Sequence, residues 1–470
     1  EVEALGGVYT CGMGSKGQLG HGDLQGRAAL TPVARLCGRG VYRVAAGFDS
    51  YRAMAVSTSG FAYTWGGGEG CALGQEIAES MIMTQLRTEM EEAKKAGDDT
   101  YSDVDVDLGG SGGRVPPPWT PSSSWPLGRG TPCVRRRGVC ACCMCGAVVA
   151  CVDPPPPPGK LYTWGENNEN AQLGLAQIQG AVRVRYKPQA EPLLNPTLGS
   201  NRVTKRVVVD ASGGSAHSAA VASDGTLYTW GSSVRGRLGL GVESTLRLGV
   251  GEGVGRVYPA PTVLGVGVML GRVVTQVACG TMHTVCVADH KVFAWGDGYG
   301  GRLGNGSNLS VVVPSPMLVD GLKHTYAVQV AAAMWHSFAL VRTTSSLLPP
   351  WRRHLMYFPP SVEGRVYAWG TGTDGQLGIG EATESTVPVP VPYLPRGVSY
   401  ITSSQFHSAA LTSKGSVYTW GRGAGGSLGR PLPGGVQNDR LPDRVSLRDS
   451  TGRKLRAAHV ACGRNFTVVA

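Results

Sequence analysis

Charge is scarce in this chain of 470 residues, with Asp, Glu, Lys and Arg together making up only 16%. So small a share argues against a disordered polypeptide and suits a body with large buried faces. Long apolar runs are missing as well: the longest, Val139 to Val152, falls short of the ~18–20 residues that a helical membrane span needs. The twelve cysteines form no evenly spaced framework. That excludes a small disulfide scaffold and implies a reducing, intracellular setting, cytoplasmic or nuclear. The chain begins at Glu1 rather than Met, so a targeting segment is expected to be missing from its start.

Catalytic signatures are also lacking. There is no Gly-x-Ser-x-Gly, no His-Glu-x-x-His, no Gly-Lys-Ser/Thr phosphate loop and no pair of catalytic carboxylates. Turnover of a small substrate is not expected, and neither is a cofactor. Asp103, Asp105 and Asp107 begin like a calcium loop, but Leu108 stands where Gly is required and Arg114 where the closing Glu belongs. Gly-x-Gly-x-x-Gly does occur, at Gly12/Gly14/Gly17, Gly296/Gly298/Gly301, Gly370/Gly372/Gly375 and Gly421/Gly423/Gly426. A dinucleotide fingerprint needs a helix to follow. Here Leu-Gly and another loop follow, so the string is turn geometry.

Glycine is what the chain has in excess, 70 residues, about twice the usual ~7% share. Much of it belongs to a repeated phrase, clearest at Leu227-Tyr228-Thr229-Trp230-Gly231, which a glycine-rich turn joins to Leu238-Gly239. An aromatic, β-branched run stopping at Gly is a strand followed by a tight turn. The phrase occurs seven times, ending in Cys11-Gly12 and then in the Trp-Gly pairs that begin at Trp65, Trp164, Trp230, Trp295, Trp369 and Trp420. Each repeat also has an earlier half, Val-x-x-Val-Ala-Cys-Gly-x-x-His, clearest at Val274 to His283. It recurs near Val44–Val56, Val208–Val221, Val328–Leu340, Tyr400–Leu411 and Val460–Val469, with a worn copy at Cys140–Val152.

The chain opens on a later half and closes on an earlier one. If the two ends complete one blade, a ring closes and no sheet edge at the seam is left unpaired. Radial repetition of about four-stranded sheets is the β-propeller solution. The expectation is an all-β, seven-bladed β-propeller closed by pairing of the N- and C-terminal strands. Residues 1–74 and 160–470 would form it, and 75–159 would be an insertion, partly helical around Glu76–Ala96 and then Pro/Gly-rich and Cys-rich. Smaller departures from the repeat lie at Gly241–Gly271 and Arg342–Gly364. These stretches read either as partner-binding loops or as unspliced sequence.

The joined pattern of Tyr-x-Trp-Gly-x-Gly-x-x-Gly-x-Leu-Gly and Cys-Gly-x-x-His resembles the regulator of chromosome condensation repeat family. The resemblance implies a regulatory propeller that binds a partner protein, with a small GTPase as the class of partner. It also implies an alternative, guanine-nucleotide exchange on a Ran-type GTPase. A third reading rests on the residues alone: Cys140, Cys142, Cys143 and Cys145 could hold zinc or copper(I), although their spacing is crowded.

The repeated Trp side chains are expected to be core, each indole N–H needing an acceptor. His217, His283, His336 and His407, one per repeat, cannot converge on one ion. They are expected to tie the backbone where their strands begin. The residues just before that position, Asp49, Ala216, Met282, Trp335, Phe406 and Asn465, should line one rim of the ring. Large apolar members of that set suit a protein-binding hot spot, or they tuck into neighbouring blades. The net charge of +11 favours acidic partners, yet no nucleic-acid motif accompanies the basic runs, so chromatin or nucleic acid stays without a motif to support it.

Overall fold

The computed structural model describes residues 7–47, 50–58, 62–67, 142–144, 147–152, 160–165, 170–175, 189–195, 197–198, 207–242, 256–265, 267–307, 309, 311–342, 364–432, 436–449 and 451–470. The proposed helix at Glu76–Ala96, the acidic and Pro-rich linkers and most of Arg342–Gly364 lie outside them. Twenty-seven short strands make up the described fold.

β1 (Tyr9–Gly12) and β2 (Arg27–Pro32) open the chain, and β3 (Val41–Ala46), β4 (Arg52–Ser57) and β5 (Ala62–Gly66) form the next sheet. A third sheet holds β6 (Cys142–Met144), β7 (Ala147–Val152), β8 (Lys160–Gly165) and β9 (Gln189–Leu194). A fourth holds β10 (Val208–Gly213), β11 (His217–Ala222), β12 (Leu227–Ser232) and β13 (Val257–Val263). Then come β14 (Val274–Cys279), β15 (His283–Ala288), β16 (Lys291–Asp297) and β17 (Val312–Leu318). The sixth sheet is β18 (Tyr326–Ala332), β19 (His336–Arg342), β20 (Gly364–Thr371) and β21 (Glu384–Pro390). β22 (Val398–Ser403), β23 (His407–Thr412), β24 (Val417–Arg422) and β25 (Asn438–Arg444) form the last one built in chain order. The final strands, β26 (Val460–Gly463) and β27 (Phe466–Val469), return to the first sheet, whose order is β2-β1-β27-β26.

The expected join of the chain ends is present. β1 pairs antiparallel with β27, Tyr9 opposite Val469 and Gly12 opposite Phe466. The first strands touch one another in the order β3, β6, β10, β14, β18, β22, β26 and back to β3, so they line the axis of an all-β propeller. Seven complete blades, however, are not found. Six sheets have four strands, and the β3–β5 sheet has three among the described residues. Its fourth strand would follow Gly66, where the repeat gives way to the long departure from the pattern. Within the 75–159 stretch, β6 and β7 belong to a sheet of the ring.

Side chains bind β10 to β14, β14 to β18 and β18 to β22. The Asp210 carboxylate accepts the Val277 amide at 2.9 Å, and the Ser212 hydroxyl accepts that of Cys279 at 2.9 Å. Gln276 accepts from Val330 at 2.6 Å, and Gln329 both accepts from and donates to Ile401. The fourth strands pair on one side only, and prolines such as Pro259, Pro314, Pro388 and Pro442 sit on them. Proline lacks the N–H that a further strand would need, which blunts these outer edges.

The repeated Trp side chains lie between blades. Trp295 packs with Ala219, Val221 and Leu227 of the preceding sheet, and Trp230, Trp295, Trp369 and Trp420 are essentially unexposed. The glycine of Leu-Gly exists for this contact: a Cβ at Gly239 would come 2.7 Å from the Trp295 indole nitrogen. The glycine of Trp-Gly has a different reason. At φ 109°, a Cβ on Gly296 would meet the Met282 carbonyl oxygen at 2.5 Å.

Candidate functional site

Strand direction sorts the loops into two ends. Loops joining first to second and third to fourth strands gather at one end, called here the upper end. Hairpins between second and third strands, and connections to the next sheet, gather at the lower end. The upper end carries the residues that precede each His position.

Main-chain hydrogen bonds give these residues one common geometry. The Met282, Trp335, Phe406 and Asn465 carbonyls each accept an amide two residues beyond the repeat's Trp or Cys: Asp297, Thr371, Arg422 and Met13, all at 2.9 Å. Ala216 does the same for Ser232 at 2.8 Å. In the second sheet the acceptor is Tyr51, bonded to Gly67 at 3.0 Å; Asp49 lies outside the described residues. The place of Tyr51 follows from loop length. Arg52 takes the His position opposite Gly66, so the loop from Gly47 runs two residues longer than its counterpart from Gly280 to His283.

Cations pack against the side chains of this rim. The Arg302 guanidinium lies 4.6 Å from the Trp335 ring centroid and 5.8 Å from that of Tyr299. Tyr299 and Trp335 meet edge to face at 5.8 Å. Arg422 stands 4.1 Å over Phe406, and Arg464 5.3 Å over Tyr51. Arg422 is also forked onto Asp374, with bonds of 2.9 and 3.0 Å from Nη2. The paired N–H groups hold the guanidinium plane in place. Met282, Trp335, Phe406 and Asn465 are all half-buried, so each side chain is partly covered and partly open.

Arg237 and Arg302 are only 3% and 1% exposed. Burial lowers both guanidinium pKa values, Arg237 to about 10, while nearby Asp297 acts in the opposite direction. Each reaches across to the next rim loop, Arg237 Nη1 to the Thr281 carbonyl and Arg302 Nη1 to that of Met334, both at 3.2 Å. Gln376 makes the equivalent reach to Gln405 at 3.4 Å. These residues share one place in the repeat, the x of Gly-x-Leu-Gly. Sequence reasoning passed over it because the position varies among Arg, Gln and Ser.

The carbonyl at that same place receives the next blade's Trp. Trp295 donates to Arg237 at 3.0 Å, Trp369 to Arg302 at 2.9 Å, Trp420 to Gln376 at 2.8 Å, Trp230 to Gln172 at 2.8 Å and Trp65 to Gln18 at 2.9 Å. In the first copy Cys11 Sγ faces the Ser427 carbonyl at 3.7 Å, its thiol pushed up to about 12 by burial. The side chain of Trp164 lies outside the described residues.

The histidines make a parallel set of ties, but not to the backbone where their strands begin. Nε2 of His217 meets the Thr284 hydroxyl at 2.8 Å, that of His283 meets Ser337 at 2.9 Å, that of His336 meets Ser403 at 2.6 Å and that of His407 meets Thr467 at 2.8 Å. The Thr284, Ser337 and Thr467 hydroxyls spend their proton on the Arg237, Arg302 and Ser427 carbonyls. The imidazole must therefore donate from Nε2. Burial favours the neutral ring, lowering His336 and His407 to about 3 and His217 and His283 well below their ordinary value.

Among the described residues no group of three His, Cys, Asp or Glu side chains could hold a metal ion. Cys140 and Cys145, and the side chains of Cys142 and Cys143, lie outside the described residues. No helix of the described structure is long and apolar enough to cross a membrane.

The regulator of chromosome condensation (RCC1) repeat model matches residues 6–49, 158–221, 224–287, 289–340, 363–411 and 414–470. The chain is 30% identical over 267 residues to the ultraviolet-B receptor UVR8 of Arabidopsis thaliana, covering 56% of this chain and 51% of the receptor. It is 30% identical over 315 residues to the human E3 ubiquitin-protein ligase HERC2, covering 66% of this chain and 5% of the ligase. The chain thus spans about half of the first relative and a small part of the second. Among solved structures, human WBSCR16 superposes with a TM-score of 0.64 at 20% identity, covering 98% of both chains. Prp20p of Saccharomyces cerevisiae, solved in a study of its binding to Gsp1p and histones, gives 0.64 at 16% identity, covering 98% of this chain and 90% of its own. At such identities the superpositions establish the fold.

Proposed function

This chain belongs to the regulator of chromosome condensation repeat family, and on that footing we propose that the upper end of its propeller docks a regulatory partner protein. The observation that carries the reading is the pair of half-buried rim aromatics, Trp335 backed by the buried Arg302 and Phe406 by the partly exposed Arg422. Aromatic rings held in place by stacked guanidinium groups lose little freedom on binding, and Trp, Tyr and Arg dominate protein-binding hot spots. A Ran-type small GTPase is the partner class that family likeness favours, since Prp20p is described as binding Gsp1p. We also take the β3–β5 sheet as the seventh blade, because it fills the ring between β26 and β6. An intracellular place of action, cytoplasmic or nuclear, goes with this reading.

Nucleotide exchange on that GTPase is the finer alternative. It requires no covalent chemistry, only tighter binding of the nucleotide-free state than of the loaded one. The test is capture of nucleotide-free and GDP-loaded Ran by the immobilised chain, with release of fluorescent GDP followed in parallel. Capture that Trp335→Ala weakens supports the docking end, and accelerated GDP release adds exchange. Equal capture by Trp335→Ala and parent would place the site elsewhere. Failure to capture Ran in either state would remove the GTPase as partner.

A further inference from the structure

The lower end of the ring combines exposed apolar tips with exposed cations, and the upper-end account uses neither. In the connection from β13 to β14, Leu270 is 75% exposed and its neighbours Val268 and Val273 are about half exposed. Between β21 and β22, Tyr393 is also 75% exposed, on backbone at φ 60°. That left-handed conformation is uncommon for a bulky residue.

Cations share this end. Lys323 and Arg396 are exposed on the connections into β18 and β22, and Arg448, Arg453, Lys454 and Arg456 on the connection from β25 to β26. The last connection is a built loop. Arg448 and Lys454 bridge through their backbones, and Asp449 accepts the amides of Thr451 and Arg453 at 3.0 and 2.8 Å. Among the described residues the carboxylates here are Asp224, Asp289, Asp320, Asp443 and Asp449. Arg272 engages Asp289 at 3.0 Å, and Arg453 engages Asp449 at 3.1 Å.

We propose that this lower end docks on an anionic lipid bilayer, with Leu270 and Tyr393 entering the headgroup boundary and the cations facing lipid phosphates and carboxylates. Peripheral binding of this kind needs buried apolar area and electrostatic attraction together. The apolar tips separate a bilayer from a nucleic acid as the occupant. A phosphate backbone would use the arginines and lysines but has no place for exposed aliphatic side chains. A headgroup boundary takes up both.

The experiment is co-sedimentation of the full chain with phosphatidylcholine vesicles, with and without phosphatidylserine, at low and high salt. Sedimentation with the anionic vesicles only, weakening as salt rises, is the expected result. Leu270→Ser with Tyr393→Ser should weaken partitioning about tenfold or more, and Arg448→Glu with Lys454→Glu should lower it as strongly. All four positions are exposed, and unchanged thermal unfolding of each variant would show that the fold is intact. The proposal is overturned by absence of the chain from the anionic pellet, or by folded variants that sediment like the parent. Retention of duplex DNA without vesicle binding would overturn it too, making the occupant a nucleic acid.

Discussion

Arg302 lies over Trp335 across the boundary between two blades, its guanidinium carbon 4.6 Å from the ring centroid. The same residue gives its main-chain carbonyl to the Trp369 indole at 2.9 Å and its Nη1 to the Met334 carbonyl at 3.2 Å. One position thus fastens the core of the next blade and shapes that blade's rim loop. Arg302→Lys keeps the charge but loses the planar stack and the fixed direction of the N–H groups. A loss of about 1–2 kcal/mol is expected for a largely desolvated cation–π contact. Chemical denaturation measures it, and no change would mean that the stack contributes nothing.

The Leu-Gly glycine makes a sharper contrast. Gly378→Ala would put a methyl 2.7 Å from the Trp420 indole nitrogen, at φ 71°. The indole must then leave its 2.8 Å bond to Gln376, so about 1–3 kcal/mol for an unsatisfied buried donor adds to about 1–2 kcal/mol of left-handed strain. Gly22→Ala, at φ 84° with nothing within 4 Å, should cost the strain alone. Equal losses in the two variants would show that contact with the Trp is unimportant.

Ser337→Ala removes the acceptor of the His283 Nε2–H, a 2.9 Å bond. A buried donor without a partner costs about 1–3 kcal/mol. Ser337→Thr keeps the hydroxyl and should recover most of that loss. Thermal unfolding of the pair distinguishes the bond from simple loss of volume.

Acid should open the ring. Burial lowers His336, His407 and His459 to about 3 and His217 and His283 well below the ordinary value. The unfolded chain therefore binds more protons than the folded one below about pH 6.5, the ordinary value of histidine, and stability rises with pH there. The contribution is complete above that value and declines as pH falls toward 3, by about 1.4 kcal/mol per unit for each ring. Denaturant midpoints measured from pH 7 down to pH 4 should fall steadily. A flat profile would mean that the rings are solvated.

Much of the fold was legible because its strongest signals are local. Tyr-x-Trp-Gly marks a strand and its turn, and the unmatched halves at the two ends foretold the pairing of Tyr9 with Val469. The indole's need for an acceptor was also readable, but the acceptor was not. Arg302 and Trp369 are 67 residues apart, and only the packing of blades brings them together. In the second sheet the equivalent carbonyl belongs to Tyr51, which the sequence did not mark because the longer loop after Gly47 lacks the His found in most other copies. The His partners were missed for a related reason. Thr284 and Ser337 look like ordinary strand residues until the neighbouring blade supplies an imidazole.

Hydrogen exchange on the chain with and without its captured partner tests the upper-end docking reading most directly. Slowed exchange confined to segments 298–306, 334–336 and 405–407 is the predicted footprint. Protection at 267–273, 391–397 and 445–458 instead, with the upper loops unchanged, would contradict it.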